Sequence, residues 1–143
     1  MNYVITPKSG HVNLSPIGFH IWAEHYYKCR HDFKSTDAFS PIPYFLLCRT
    51  IELELKSKHL QHKDREHVKN VFGHDLLKAY EALDNFQKIL TDDELNTLKM
   101  ANVIYKGKGF EYFSPQSAIT GFSGFPNLET LDSIAKKLID NNG

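Results

Sequence analysis

A stripe of charged side chains in the middle of the chain combines residue types that bind phosphate groups. Arg49, Glu52 and Lys56 follow one another at intervals of three and four residues. A helix therefore places all three side chains within about 60° of one another. Charges beside an apolar helix face must be paired, because an unpaired buried charge is costly. Either Glu52 bridges the two cations at the edge of a helical bundle, or the stripe faces a cleft and meets His74 or Asp75 from the next helix.

His74 is the best-placed candidate for a proton-transfer group, since neutral histidine titrates near physiological pH. A catalytic interpretation makes His74 the base and lets Lys56 or Arg49 stabilise a phosphorane, with Asp75 as a further candidate beside the histidine. A histidine at a helix start also serves as an N-terminal cap or as a packed ring, so a structural interpretation stays open beside the catalytic one.

Metal-binding histidines are a separate hypothesis, because the chain contains eight histidines. His20-x-x-x-Glu24 and His59-x-x-His62 each place two possible ligands on one helical face. The spacing specifies no third ligand, whereas a zinc site needs three or four protein ligands. We therefore expect neither a metal nor a cofactor.

About five helices are needed to position these side chains, and each has a recognisable start. The Ser-Pro pairs at 15–16 and 40–41 are typical of an N-cap followed by the first helical residue. Thr91 and Glu94 form a capping box, and apolar residues recur at helical spacing after each start signal. The predicted helices are Pro16 to His31, Ile42 to Gln61, a helix opened by Gly73-His74-Asp75 with Leu76, Leu77, Tyr80, Leu83 and Phe86 along its face, a helix from the capping box to about Tyr105, and Leu128 to Ile139 capped by Asn127.

The second of these helices should form the core of a compact up-and-down bundle. It is apolar on two nearly opposite sides, which is typical of a helix with neighbours on both. One side consists of Ile42, Leu46 and Leu53, and the other of Leu47, Cys48, Ile51 and Leu55. The charged segment from His62 to Asn70 is predicted as a loop or a short helical turn. We expect one all-α domain over residues 1–143.

A long loop from 106 to 126 precedes the last helix and is rich in glycine and aromatic residues. Loops of this length are uncommon in compact domains unless they are functional or packed by their own side chains. The aromatic rings either stack on bases or hold a small ligand, or they fold back as a lid or lie in a homodimer interface. The residues concerned are Phe110, Tyr112, Phe113, Phe122 and Phe125.

The overall composition is typical of a soluble domain. Its 143 residues are 41% hydrophobic and carry a formal net charge of zero. RNA binding would therefore need a local basic face, because affinity for nucleic acid comes largely from neutralising phosphates. Cys29 and Cys48 are expected to be buried thiols. The first ten residues lack the apolar core of a signal peptide, and no apolar run approaches the about 18 residues of a membrane span. We expect a cytoplasmic protein without a membrane partner.

Two short patterns resemble the HEPN superfamily of prokaryotic helical-bundle domains. The first is Leu-Cys-Arg-Thr-Ile-Glu-Leu-Glu-Leu-Lys from Leu47 to Lys56, and the second is Gly-His-Asp-Leu-Leu-Lys from Gly73 to Lys78. Members often combine a helix carrying Glu-x-x-x-Lys with a Gly-His-Asp-Leu helix start. The segment from Lys108 to Tyr112 stands where relatives often have aromatic residues before the last helix. The resemblance covers about residues 44–112.

This resemblance implies a bundle that commonly forms homodimers. Relatives act as RNA-cleaving toxins, as partners of small nucleotidyltransferases or as RNA-associated modules. The ribonuclease branch has an arginine followed by a histidine after four to six residues. None of Arg30, Arg49 and Arg65 has a histidine at that interval. Nuclease catalysis therefore does not carry over.

The positions that do match define the predicted site. Glu52, Lys56, His74 and Asp75 match the family signature, and the candidate binding residues are Arg49, Glu52, Lys56, His74 and Tyr112. The first hypothesis is a non-catalytic module that binds RNA, a nucleotide or a protein partner, in a toxin–antitoxin or stress and defence context. The alternative is a metal-independent ribonuclease with an atypical site around His74.

Overall fold

The computed structural model describes residues 15–35, 39–110 and 125–141. These ranges contain six α-helices and no β-strand, so the predicted all-α bundle is confirmed. None of the helices in these ranges is both long enough and apolar enough to cross a lipid bilayer. The helices are α1 (Pro16–Asp32), α2 (Ile42–Leu60), α3 (Arg65–Phe72), α4 (Leu76–Glu81), α5 (Asp92–Lys106) and α6 (Leu128–Asp140), with a short 3₁₀ turn at Asn85–Gln87.

Side-chain caps fix the starts of three helices as the sequence predicts. The Ser15 hydroxyl accepts a hydrogen bond from a backbone N–H of the first turn of α1. Thr91 and Glu94 form the reciprocal capping box at α5, with Thr91 N–H donating to Glu94 Oε1 at 2.9 Å. Asn127 Oδ1 accepts from Thr130 N–H at 2.9 Å and starts α6. Each cap satisfies donors that a helix leaves unpaired at its first turn.

The charged segment after α2 forms a full helix rather than the predicted loop or short turn. Asp64 caps α3 by accepting a hydrogen bond from His67 N–H at 2.8 Å. Val68 and Phe72, four residues apart, are the buried residues of this helix. Two apolar contacts against the bundle are therefore enough to hold an otherwise polar helix, because tertiary packing supplies most helical stability in proteins.

The helix opened by Asp75 is shorter than predicted. α4 ends at Glu81, and a separate 3₁₀ turn follows, in which Asp84 N–H donates to Gln87 Oε1 at 3.3 Å. Phe86 lies in that turn and is 73% exposed, so its predicted place on the apolar face is wrong. Because the chain starts a new turn after Ala82, Phe86 leaves the helical register that the apolar spacing suggests.

α2 is the central helix, as predicted. It contacts all five other helices of the described ranges. Its fully buried side chains Leu47, Ile51 and Leu55 pack in one cluster with the inward face of α6. That face consists of Leu131, Ile134, Ala135 and Leu138, all four of which are completely buried. On the other predicted apolar side, Leu53 is 7% exposed, whereas Ile42 at the start of the helix is 40% exposed.

The apolar residues of α1 are arranged differently from the prediction. Ile17 is 68% exposed and Trp22 is 43% exposed, whereas Ala23 is buried. Cys29 is also exposed, so its prediction as a buried thiol is wrong. Cys48 is buried in the core, and burial raises the pKa of its thiol. The small residues of α1 face α2 because they let the two helices approach closely.

Two aromatic residues at the ends of the predicted loop fold back onto the bundle. Phe110 is 2% exposed and stacks on Tyr44 with ring centroids 5.6 Å apart. Phe125 meets both rings edge-on, at 5.6 Å from Phe110 and 5.2 Å from Tyr44. Residues 111–124 of the predicted loop, including Tyr112, Phe113 and Phe122, lie outside the described residues.

A buried polar network ties α1, α2 and α6 together. Glu54 is completely buried, and its Oε2 lies 2.8 Å from His20 Nδ1. The Lys58 ammonium lies 3.5 Å from the other carboxylate oxygen. It also donates to the carbonyl oxygens of Leu138 at 3.0 Å and Asn141 at 3.2 Å. Lys58 therefore satisfies carbonyls at the C-terminal end of α6, where a positive charge is favourable.

His59 makes the stability of the bundle sensitive to mild acid. Its Nε2–H donates to the Ala79 carbonyl at 2.8 Å, its ring stacks on Phe72, and the Lys63 ammonium lies 3.3 Å from Nδ1. Burial lowers the pKa of His59, and the neighbouring charges of Lys63 and His67 lower it further against the opposing effects of Ala79 and Asp84. The folded protein thus holds the neutral ring more strongly than the unfolded chain does.

We expect the free energy of unfolding to fall as the pH drops below about 6.5, the value for an unperturbed histidine. The His59→Gln variant keeps an amide donor for the Ala79 carbonyl but has no proton to gain, so its stability should vary less between pH 7.5 and 5.5. Urea unfolding at both pH values measures the difference. The exposed His62→Gln variant is the control, and equal pH dependence in all three proteins would contradict the role of His59.

Candidate functional site

The charged stripe of α2 is organised around one buried carboxylate. Among the described residues, four donors surround Glu52, whose side chain is 5% exposed. Its Oε2 accepts hydrogen bonds from Arg49 Nη1 at 3.0 Å and Lys56 Nζ at 3.2 Å. Its Oε1 accepts from His74 Nδ1 at 2.7 Å and Tyr105 OH at 2.7 Å. We call Arg49, Glu52, Lys56, His74 and Tyr105 the Glu52 cluster.

The ion pairs of the first interpretation and the His74 contact of the second are both present. Glu52 bridges Arg49 and Lys56 within α2, and it also receives His74 from the segment after α3. The spacing of three and four residues brings the α2 side chains together, as it does on any helix. The contact between Glu52 and His74 depends instead on tertiary structure, because the turn after α3 must bring His74 next to α2.

Gly73 makes that return possible. It follows α3 with a φ of 51°, a backbone conformation that residues with a side chain rarely adopt. The chain then turns within two residues into α4, and His74 lies in this turn. His74 also meets the ring of Tyr105 edge-on, with centroids 6.1 Å apart. The glycine of the Gly-His-Asp pattern thus has a direct role in placing the histidine.

Asp75 has partners of its own. One of its carboxylate oxygens caps α4 by accepting from Lys78 N–H at 3.1 Å and from Asn102 Nδ2 at 3.0 Å. The other oxygen accepts from Lys106 Nζ at 3.2 Å. Asn102 also accepts from Leu76 N–H at 2.8 Å, which fixes the start of α4 against α5. Asp75 therefore positions the segment that carries His74 and lies outside the Glu52 cluster.

Glu52 stays ionised in this setting. Burial would raise the pKa of the carboxyl group, but the Lys56 charge, the hydrogen bonds from His74 and Tyr105, and the Arg49 charge together lower it below its usual range. Burial and the adjacent carboxylate raise the pKa of Tyr105, which remains a hydrogen-bond donor. Since an ionised carboxylate only accepts, His74 carries a proton on Nδ1; its Nε2 accepts when the ring is neutral and donates when the ring is protonated.

The members of the cluster differ in their access to solvent. The His74 side chain is 55% exposed and the Arg49 side chain 32%, while Lys56 is 12% exposed and Tyr105 is buried. The Arg49 guanidinium also lies 5.9 Å from the ring centroid of Tyr26 on α1. A ligand can therefore reach Arg49 and His74 from solvent, with Lys56 at the margin and the carboxylate beneath them.

Two residues that contact the site or its neighbouring segment, Tyr105 and Asn102, belong to no recognisable motif in the sequence. Tyr105 and Asn102 lie three residues apart on α5, and both are buried. A buried polar pair at helical spacing indicates a polar contact with a neighbouring helix, although it does not identify the partner. Tyr112, a candidate binding residue from the sequence, lies outside the described residues.

A second carboxylate joins α1 to α6. Asp132 accepts from Tyr27 OH at 2.6 Å and lies 3.1 Å from His31 Nε2. The Arg30 Nε lies 3.7 Å from the same carboxylate. An open cavity of about 380 Å³ lies nearby, with both acidic and basic residues in its walls. The mixed charge of this cavity favours no particular class of ligand.

His20 and His59, the histidines that begin the two spaced pairs, each have a partner outside the pair. His20 Nε2 lies 3.4 Å from Glu24, and His59 Nε2 already binds the Ala79 carbonyl. In the part of the chain that the structure describes, no group of three histidine, cysteine or acidic side chains is placed to hold a metal ion.

No protein-family model, curated protein or solved structure matches this chain. The kind of ligand that the Glu52 cluster can bind is therefore inferred from the chemical groups of its own side chains. It presents a guanidinium, an ammonium and an imidazole on one side of a buried carboxylate. Guanidinium and ammonium groups donate charged hydrogen bonds to phosphate oxygens, and an imidazole does so through its second nitrogen when it is protonated.

Proposed function

We propose that the chain is a HEPN-like, non-catalytic module that binds phosphate groups of RNA or of a nucleotide at the Glu52 cluster. The observation that carries this proposal is the buried carboxylate that holds Arg49, Lys56 and His74 side by side. Preorganised donors bind an anion without the entropic cost of ordering long side chains. The side chains of Arg49, Lys56 and His74 are therefore already positioned for a phosphate in the ligand-free protein.

The charge balance of the cluster supports an anionic ligand. Arg49 and Lys56 contribute two positive charges against the single negative charge of Glu52, which leaves one positive charge with His74 neutral. Glu52 engages one terminal nitrogen of the Arg49 guanidinium, a group with five N–H donors in a planar fork. Such a fork can bind a phosphate through two parallel hydrogen bonds.

The residues around His74 support binding rather than catalysis. RNA cleavage by acid–base chemistry needs a base and an acid with complementary protonation states. Tyr105 is buried with a raised pKa, so it is a poor second proton carrier. The arginine–histidine spacing of the ribonuclease branch is also missing from the sequence. The HEPN-like resemblance further implies a homodimer that acts with a protein partner in a toxin–antitoxin or stress and defence context, and the cytoplasmic location remains part of the proposal.

Removing the Arg49 charge should weaken RNA binding. We expect Arg49→Gln to lower the affinity for a fluorescently labelled, single-stranded oligoribonucleotide about tenfold, because it removes a charge-assisted hydrogen bond. Fluorescence anisotropy titrations at a fixed salt concentration measure the change. The matched control is Lys99→Gln, which removes a positive charge from an exposed position of α5. Equal losses in the two variants would indicate binding by general surface charge and would contradict the proposal.

A second candidate function is favoured by one specific observation. Glu52 orients an exposed histidine at 2.7 Å and leaves Nε2 as an acceptor, which is the arrangement of a general base held by a carboxylate. A metal-independent ribonuclease would cleave the same oligoribonucleotide in the presence of EDTA. His74→Ala would then reduce the rate by about 100-fold or more. Under the binding proposal, neither the wild-type protein nor the variant produces fragments.

A further inference from the structure

A small cavity lies next to the Glu52 cluster, between α1, α2 and α3. It has a volume of about 150 Å³. Its walls combine three apolar and three basic residues and contain no acidic one. The residues are Phe19, Lys56, Leu60, Arg65, Val68 and Lys69. A cavity that is apolar inside and positively charged around it fits a ligand that joins an apolar group to an anion.

The positive charges in these walls come from two different helices. Arg65 and Lys69 are one helical turn apart on α3, and Lys56 approaches from α2. Three basic side chains and no acidic one in the wall make this cavity complementary to a negatively charged ligand.

Lys56 connects the cavity to the Glu52 cluster. Its ammonium donates to Glu52 Oε2 at 3.2 Å, and the same side chain forms part of the cavity wall. A ligand whose phosphate binds at Arg49 and Lys56 therefore has an attached group within reach of the cavity. Lys56 is thus common to the cluster and to the cavity wall.

We propose that this cavity receives the base of a bound nucleotide, which stacks on Phe19 while Arg65 and Lys69 bind a flanking phosphate. The inference rests on the proposed function and deepens it, because it names the ligand as a nucleotide unit rather than a phosphate alone. The volume of about 150 Å³ is below the roughly 300 Å³ of sites for drug-sized molecules, so it suits a single ring system. Stacking on an aromatic side chain accepts any base, since every base has a flat apolar face.

Isothermal titration calorimetry with three simple probes tests this assignment. The probes are a nucleoside 5′-monophosphate, the unphosphorylated nucleoside and ribose 5-phosphate. We expect the wild-type protein to bind the monophosphate about tenfold more tightly than ribose 5-phosphate, and Phe19→Ala to remove that advantage while leaving ribose 5-phosphate unchanged. Phe19→Leu keeps an apolar side chain without an aromatic face, and it serves if the alanine variant does not fold. Phe86→Ala, on the exposed 3₁₀ turn, is the control that should change neither affinity.

The Arg49→Gln and Lys69→Gln variants separate this inference from the proposed function. Suppose that Arg49→Gln weakens binding of both the nucleoside monophosphate and ribose 5-phosphate, while the Phe19 variants leave both affinities unchanged. The assignment of the cavity is then overturned, and the phosphate site at the Glu52 cluster is supported. If Phe19→Ala and Lys69→Gln lower the affinity for the nucleoside monophosphate and Arg49→Gln does not, the cavity assignment is supported and the proposed phosphate site at the Glu52 cluster is wrong. Binding of an acidic peptide, with none of the three probes bound, would overturn the cavity assignment in favour of a protein ligand.

Discussion

Replacing Glu52 with glutamine is expected to lower the free energy of unfolding by about 3 kcal/mol. The carboxylate is 5% exposed and is the common acceptor for Arg49, Lys56, His74 and Tyr105. Glutamine has nearly the same shape, but its amide nitrogen is a donor that must face another donor, and it carries no charge to pair the cations. Arg49 and Lys56 can still reach solvent, which keeps the expected loss at the lower end for a broken buried ion pair.

Urea unfolding at neutral pH measures the loss for Glu52→Gln. The control is Glu81→Gln at the exposed end of α4, for which a change within about 0.5 kcal/mol is expected. The lowered pKa of Glu52 adds a second signature. The folded state favours the ionised carboxyl group, so its stabilisation is lost as the pH falls below about 4.3, the value for a free glutamate. A variant as stable as the wild type, with the same acid sensitivity, would show that the cluster is not held together by Glu52.

The second large effect is expected at Lys58, where substitution by methionine should cost about 3–5 kcal/mol of stability. Lys58 is 2% exposed, lies beside the completely buried Glu54, and donates to two carbonyls at the end of α6. Methionine fills similar space but leaves Glu54 without the adjacent ammonium and the carbonyls without their donor. Burial lowers the pKa of Lys58, which shows that its own desolvation is costly, so the effect arises mainly from the groups that it leaves behind.

The matched control for Lys58→Met is Lys136→Met on α6. The Lys136 side chain is 63% exposed and pairs with the equally accessible Asp140, so its removal should change stability by less than about 1 kcal/mol. The double variant Glu54→Gln with Lys58→Met removes the buried negative charge that has lost its lysine neighbour and should recover part of the loss. Equal destabilisation by the two single methionine variants, or no recovery in the double variant, would contradict this explanation.

The starts of α1, α5 and α6 and the central position of α2 could be predicted from the sequence because their signals are local or periodic, whereas Pro41 rather than Ser40 precedes the first residue of α2. A cap such as Ser15, Thr91 or Asn127 bonds to backbone within its own first turn, so the residues that form it are neighbours in the sequence. The two apolar sides of α2 likewise follow from helical periodicity alone. These features do not depend on how the helices pack against one another.

The errors concern segments whose structure depends on packing. α3 is mostly polar, and its buried contacts Val68 and Phe72 could not be distinguished from isolated apolar residues in a loop. Phe86 has helical spacing, yet a new turn begins before it and leaves it exposed. On α1, the large residues such as Trp22 face outward and Ala23 faces inward, because a close approach of two helices selects for small side chains.

The candidate site was predictable in part for the same reason. The association of Arg49, Glu52 and Lys56 follows from their spacing on one helix. The contact with His74 was one of two alternatives, and the structure shows that it coexists with the other. The role of Tyr105 could not be inferred, because it depends on the position of α5 relative to α2. The HEPN resemblance, the homodimer and the role of Tyr112 stay predictions.

The proposed phosphate site is tested most directly by following the side chains that would bind the ligand. Nuclear magnetic resonance detects the Arg49 guanidinium and the His74 imidazole while a short single-stranded oligoribonucleotide is added. We expect both signals to shift saturably with one dissociation constant, while the exposed His62 and His67 signals stay in place. Unchanged Arg49 and His74 signals, or parallel unsaturated shifts of all the histidines, would contradict phosphate binding at the Glu52 cluster.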